Sequence, residues 1–281
     1  MAKVWRSLTE TEKALVSDFQ PYGRYRPNRV QRMLITLGRH SFMKRGVFRG
    51  TLTKLIFGLG SGALDIAFRG ARYRIRLQNN LIEYGLLLVP DYNAEDIDFL
   101  LDGAGEGANF VDLGSNIGLY ALPLAVACRT GRVVAVDANA KMVEELLWNA
   151  EATGLANLTV VHAAVSDTEG RADLLIRKDD LAIVSVEESA AGPVPMRKLE
   201  AVLAEAGLDA IYGLKIDIEG HEDRALVPFL DEGPTHLMPR RIVIEHPEAD
   251  TDYPGCAAAF ARNGYRLVGR SNNNSFYLRD G

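Results

Sequence analysis

The rhythm of hydrophobic and polar positions changes along this chain, and it is clearest from residue 110 onward. There, short apolar runs alternate with segments whose apolar residues recur every three to four positions, the pattern of strands and helices taking turns. The runs Phe110–Leu113, Arg132–Asp137, Leu158–Ala163, Ile211–Asp217 and Arg241–Glu245 predict strands. Helical periodicity starts at Leu119 and recurs over Lys141–Thr153, Met196–Ala206, His221–Leu230 and Tyr253–Asn263, with Gly154 and Gly207 as stops. Arg171–Ile176 reads as an edge strand after a turn at Glu169-Gly170, and Tyr265–Arg270 with Ser275–Arg279 as an antiparallel pair around Asn272–Asn274. Such alternation predicts an α/β fold built on a doubly wound, Rossmann-like, mostly parallel seven-stranded sheet.

Upstream the rhythm is weaker. Glu10–Phe19 fits a short helix and Pro21–Pro27 a loop, and apolar runs from Val30 to Phe68 are broken by Arg39-His40, Lys44-Arg45 and several glycines. Arg72–Leu77 alternates strictly, with Tyr73, Ile75 and Leu77 on one face and Arg72, Arg74 and Arg76 on the other. A turn at Asn79-Asn80 and a returning run Leu81–Val89 predict a hairpin, followed by a short helix over Ala94–Leu101 beginning at Asn93. The apolar stretch Leu55–Leu64 is about half the ~20 residues that a membrane-spanning helix needs.

Charge sharpens this division. The 281 residues carry a formal net charge of −5, yet residues 1–80 hold 16 Lys and Arg against four Asp and Glu, a net of +12 that leaves −17 for the rest. A basic N-terminal extension over residues 1–82 (a helical cap plus hairpin) and a second domain over 83–281 are therefore expected. The extension reads in three ways: a cap whose arginines snorkel into solvent, a surface lying against anionic lipid, or a clamp for an anionic substrate. Nucleic acid is not expected, because no recognisable motif accompanies the charge. Cys128 and Cys256 make no metal or redox spacing, and no apolar core follows the charges of the opening residues, so a cytoplasmic setting is expected.

The chemistry begins where the first strand meets its helix, at Asp112-Leu113-Gly114-Ser115-Asn116-Ile117-Gly118. A strand, a glycine turn and a helix place a ligand at the turn. Asn116 stands where a dinucleotide loop wants bare backbone, and no phosphate-binding G-x-x-x-x-G-K-[S/T] loop occurs, so a cationic or zwitterionic ligand fits better. Asp112 near the amino group of a methionine moiety, with glycine backbone beside its carboxylate, is the arrangement expected for S-adenosylmethionine. Asp137, closing the second strand, is expected to face the ribose, followed by Ala138. The small residues Ala163, Ala164 and Val165 leave room for adenine, with Ser166 or Asp167 as candidates for its amine, while His162 reads as structural.

Gly213–Glu222, GLKIDIEGHE, is the richest stretch. Period-two alternation sets Lys215, Asp217 and Glu219 on one face of a buried strand, where ionisable groups are costly unless paired or functional. Together, VDLGSNIGLY and LKIDIEGHE resemble the FkbM family of S-adenosylmethionine-dependent methyltransferases over roughly residues 83–270. The resemblance implies a class I methyltransferase fold, S-adenosylmethionine as methyl donor and an alcohol oxygen as the usual acceptor. It also implies a cofactor site lined by Asp112, Gly114, Asn116, Gly118 and Asp137, with Asp217, Glu219 and Glu222 at its active edge. Two departures stand out: Asp137-Ala138-Asn139 replaces a commoner Glu-Pro-Asn, and Lys198-Leu199-Glu200 a commoner Thr-Leu-Asp.

The resulting expectation is O-methylation of a small, anionic, sugar-linked or lipid-linked hydroxyl substrate. Asp217 is the first candidate base, with Lys215, Glu219 and His221 beside it and Glu245 and His246 as others. The cofactor set is Asp112, Gly114, Ser115, Asn116, Gly118, Asp137, Ala138, Ala164, Val165 and Asp217. No metal is expected as a requirement, although paired carboxylates could hold a divalent cation. The rival readings are an NAD(P)-dependent oxidoreductase and a cofactor-binding protein without turnover.

Overall fold

The computed structural model describes residues 4–5, 20–41, 46–76, 81–177, 180–248 and 251–280. The expected helix over Glu10–Phe19 and the turn at Asn79-Asn80 lie outside them. In chain order the strands are β1 (Val4–Trp5), β2 (Ala63–Phe68), β3 (Ala71–Arg76), β4 (Phe110–Leu113), β5 (Val133–Asp137), β6 (Leu158–His162), β7 (Ala164–Val165), β8 (Gly170–Arg177), β9 (Asp180–Glu188), β10 (Val194–Arg197), β11 (Gly213–Ile216), β12 (Arg241–Glu245), β13 (Tyr265–Arg270) and β14 (Asn274–Arg279). The helices are α1 (Arg29–Arg39), α2 (Gly46–Gly58), α3 (Leu81–Leu88), α4 (Ala94–Leu101), α5 (Ala121–Ala127), α6 (Ala140–Thr153), α7 (Leu199–Ala206), α8 (Glu222–Glu232) and α9 (Pro254–Arg262).

The main sheet runs β1-β6-β5-β4-β11-β12-β14-β13. Its centre is parallel, β14 and β13 close one end antiparallel, and β1 adds an eighth strand antiparallel to β6 at the other. The expected seven strands are all present. Both faces are covered, and the alternation of side chains shows it: Phe110, Val133 and Ala135 point into a core with α4, α5 and α6, while Val111, Val134 and Val136 point into one with α7, α8 and α9. The order reverses beside β4, so the ends of β4 and β11 splay around a crevice.

Three sequence expectations change here. The hairpin pairs β2 with β3 through the two-residue turn Arg69-Gly70, both at positive φ, and Leu81–Leu88 is helical. Continuous apolar runs such as LIEYGLLL do not separate strand from buried helix. Helix α7 starts at Leu199 because Val194–Arg197 forms β10, and β8 is an inner strand of a small sheet ordered β7-β10-β8-β9. Of the arginines on β3, Arg72 is exposed and Arg76 half-buried, but Arg74 is buried. Arg74 is 1% exposed and forks onto Asp65 (Nε–Oδ1 2.8 Å, Nη2–Oδ2 3.0 Å), with its guanidinium 3.9 Å from the Trp148 ring centroid. Asp65 also accepts from the Gly23 and Tyr25 amides, so hairpin, loop and α6 meet at one satisfied ion pair.

The hydrophobic core crosses residue 82 without a break: Ile35, Leu52, Ile56, Tyr73 and Ile75 share a cluster with Phe110, Leu122 and Leu146. Removing one partner of the buried pair strands the other. Asp65→Ala is expected to cost about 3–5 kcal/mol, whereas Asp98→Ala, at the exposed Arg69–Asp98 pair, should cost less than about 1 kcal/mol. Urea unfolding of both variants measures the contrast.

Candidate active site

The loop after β4 is shaped by backbone demands. Gly114, Asn116 and Gly118 all have positive φ (77°, 48° and 95°), a region closed to most side chains. Asn116 tolerates it, and its Oδ1 accepts from the Ile117 amide at 2.8 Å. The Gly114 and Ser115 amides donate to the Val136 carbonyl (2.9 and 3.0 Å). Asp137 fastens the loop from β5, its Oδ2 accepting from the Asn116 amide (2.7 Å) and its Oδ1 from the Asn139 amide (2.8 Å). Gly114 has a second role: a Cβ there would sit 1.8 Å from the Asp217 carbonyl oxygen. A side chain at 114 would thus collide with the main chain after β11.

A cavity of about 330 Å³ opens at this end of the sheet. Of the expected cofactor residues, Gly114, Ser115, Asn116, Asp137, Ala138, Ala164, Val165 and Asp217 line it. Asp112 and Gly118 are not among its lining residues. Asp112 points back under the sheet, where its Oδ2 accepts from the Ala121 amide at 2.9 Å, and it is fully buried. Burial pushes its carboxyl up to about 7, against the pull of Lys215 on the adjacent strand. Asp137 is likewise pushed up by burial, to about 6, with the Asn139 and Asn116 amides opposing the rise. Gly118 packs against Leu146 and Leu122, and its carbonyl accepts from the Tyr73 hydroxyl at 3.1 Å.

All four expected catalytic residues, Lys215, Asp217, Glu219 and His221, line the cavity, although β11 itself carries only Lys215 there. Strand β11 ends at Ile216, and Glu219 is swung in by a turn at φ 54°. Buried Glu222 braces that turn, accepting from the Ile218 and Gly220 amides (2.8 and 2.9 Å), and does not line the cavity. Lys215, 1% exposed, donates to the Ile216 carbonyl (2.9 Å), pairs with Asp217 (3.5 Å) and lies 5.2 Å from the Tyr120 ring centroid. Glu245, at the end of β12, completes the group: carboxylate oxygens of Asp217, Glu219 and Glu245 lie within 4.8 Å of one another. Burial first, then the charge of Asp217 and a hydrogen bond with it, raise the Glu245 carboxyl well above the carboxylate range. Three hard oxygen ligands in this space are also what a divalent cation takes.

Several polar groups facing the cavity were not foreseen. Tyr120 donates to Asp96 (2.7 Å) and accepts from Asn93 (2.6 Å), while Asn274 donates to the same Asp96 oxygen (2.8 Å). Asn93 and Asn274 read only as a helix start and a turn, so nothing in the local pattern marked them. His221 Nε2 lies 3.0 Å from the Val186 carbonyl, which makes it the protonated nitrogen and leaves Nδ1 an acceptor. His246 lies outside the lining, and Ser166 and Asp167 are turned onto each other and Arg224, away from an adenine contact. His162 bonds the Ala138 carbonyl at 2.9 Å, in keeping with its structural reading. Arg72 is tied to the Ala152 carbonyl, Arg74 to Asp65 and Arg76 to Glu145, so none holds a substrate anion at the cavity.

The cavity suits an adenosyl ligand with a charged amino-acid tail. Val136, Ala138, Met142 and Ala163–Val165 form an apolar slot, Asp137 stands at its edge, and the Ser115 hydroxyl, the Asn274 Oδ1 and the His221 Nδ1 are buried without a partner among the described residues. Such groups call for a ligand's polar atoms.

The methyltransferase FkbM domain matches residues 112–267. No curated protein matches the sequence. Among solved structures, M. jannaschii TYW2 in complex with AdoMet is 14% identical, with 78% of this chain and 88% of that one covered and a TM-score of 0.44. M. capricolum TrmK with S-adenosyl-homocysteine is 12% identical, covering 65% and 66% with a TM-score of 0.40. A SAM-dependent methyltransferase from Agrobacterium tumefaciens is 13% identical, covering 77% and 69% with a TM-score of 0.42.

Two stability measurements test the loop. Gly114→Ala should unfold at markedly lower temperature than Gly154→Ala, since both have positive φ but only the second opens onto free space. Asp112 holds its proton more tightly folded than unfolded between its ordinary value of 3.8 and about 7, so the stability it contributes is lost as pH rises through that window. Urea unfolding at pH 5 and pH 8 should therefore show the wild type losing on the order of 2 kcal/mol more than Asp112→Asn.

Proposed function

The chain belongs to the FkbM methyltransferase family and is a methyltransferase dependent on S-adenosylmethionine; we propose that its acceptor is a hydroxyl oxygen on a small sugar- or lipid-linked molecule. The observation carrying this reading is the Asp217–Glu245 pair, two hydrogen-bonded carboxyls at the ends of adjacent strands, facing one cavity. An amine attacks through a free lone pair, but an alcohol must give up its proton as it reacts. Two close carboxyls share one proton, and the ionised member is free to accept another.

When bound, S-adenosylmethionine supplies a methyl carbon made electrophilic by its sulfonium. The residues that would hold it are the Gly114–Asn116 loop at the amino-acid tail, Asp137 at the ribose and the Ala138, Met142, Ala164 and Val165 slot at the adenine. Lys215 keeps Asp217 oriented from below, and Tyr120 supports Lys215 in turn. Asp217 then takes the acceptor's proton, with His221 Nδ1 as a second acceptor lining the same cavity. Alignment of donor and acceptor accounts for the rest of the rate. Free, buried Cys128 and Cys256 accord with a cytoplasmic setting.

Asp217→Asn should lower methyl transfer from labelled S-adenosylmethionine to acceptors in cell extract by at least about tenfold, while calorimetric affinity for the cofactor changes little. Unchanged transfer would remove Asp217 from the chemistry. Transfer abolished by a chelator in the wild type would give the three carboxylates to a cation instead.

A further inference from the structure

The basic extension has one face whose chemistry the methyltransferase site does not use. Helix α1 buries Gln31, Ile35 and Gly38, and α2 buries Leu52, Ile56 and Phe57. Their outward faces should then be polar. Instead they expose Val30 (49%), Met33 (61%) and Leu37 (54%) on α1, and Phe48 (55%), Leu55 (52%) and Leu59 (42%) on and just after α2. Of the nine large hydrophobic residues most exposed among the described residues, these two helices hold five and Leu59, directly after α2, is a sixth. Val30, Met33 and Leu37 follow helical spacing, so they form a stripe.

The charge around the stripe has one sign. From Phe19 to Leu64 the sequence contains no Asp or Glu, but it contains nine Lys and Arg. Arg24, Arg26, Arg29, Arg32 and Lys54 are exposed. None of them makes an ion pair among the described residues. A helix face of exposed aliphatic residues bordered by arginines is the form that lies in a bilayer interface, with apolar side chains among the acyl chains and cations at phosphate depth.

We propose that the outward face of α1 and α2 docks on an anionic lipid bilayer. A second copy of this chain fits poorly, because it would bring two acid-free, basic faces together. Helix α3, whose Ile82 lines the active-site cavity, packs against both helices. Docking therefore holds the cavity close to the lipid surface, which suits a lipid-linked acceptor. The docking surface itself rests only on the residues of α1 and α2, whatever the acceptor is.

Co-sedimentation of the full chain with vesicles tests it. Retention is expected on phosphatidylcholine vesicles containing about a third phosphatidylglycerol and not on phosphatidylcholine alone, and it should weaken several-fold toward about 0.5 M salt. The double variant M33E/L37E should lose at least about tenfold of that affinity while keeping wild-type cofactor binding and thermal unfolding. Leu267→Glu, at an exposed apolar residue of β13, should bind vesicles like the wild type. No retention on the anionic vesicles overturns the proposal, as does equal retention of M33E/L37E, which would reduce the effect to charge alone. A concentration-dependent dimer abolished by M33E/L37E, without vesicle binding, gives the face to a second copy and also overturns it. None of these outcomes depends on whether the acceptor atom is oxygen.

Discussion

The candidate site depends on how closely the chain leaving β11 passes over the chain leaving β4. The Asp217 amide donates to the Leu113 carbonyl at 3.0 Å, and the Asp217 carbonyl lies where any Cβ at 114 would stand. Only a glycine backbone permits that approach, and the approach brings the ligand loop and the acidic turn onto one cavity. The left-handed residues on both sides, Asn116 and Glu219, are the local strain that such convergence requires.

Convergence of this kind gathers acids. Asp112, Asp137 and Glu245 lie on strands near their C-terminal ends and Asp217 and Glu219 in the turn after β11, and burial raises the first three. Lys215 is the buried cation among them, placed beside Asp112 by strand register and next to Asp217 by its own reach. The region is thus poised between proton storage and ion pairing, an electrostatic setting in which a small change of ligand can move a proton.

Much of this was legible because central parallel strands and their turns have strong local signatures. FVDL, VVAVD, GLKI and RIVIE are short buried runs, and positive-φ positions in the first loop fall on Gly and Asn, the residues that tolerate them. Even so, period-two reasoning put Glu219 on a strand face with Lys215 and Asp217, whereas a turn and not a strand brings it to the cavity. Asp112 was misplaced because sequence gives its strand but not which way its oxygens turn. The hairpin was misread because the run after Asn80 has no alternation to separate strand from helix. Asn93, Tyr120 and Asn274 were missed because their meeting is a property of topology: Asn274 and Asp96 are 178 positions apart.

The β2–β3 hairpin is more than an attachment. Tyr73 bonds the Gly118 carbonyl, and the Arg74 amide bonds Asn149, whose own amide bonds the Ile117 carbonyl. A strand from the basic half of the chain therefore buttresses the loop that faces the ligand in the acidic half. In evolutionary terms the two halves are not interchangeable parts. A recombination that joined this catalytic half to a foreign N-terminal segment would inherit the motif but lose the prop beneath it, so relatives should exchange the outer helices more freely than the hairpin.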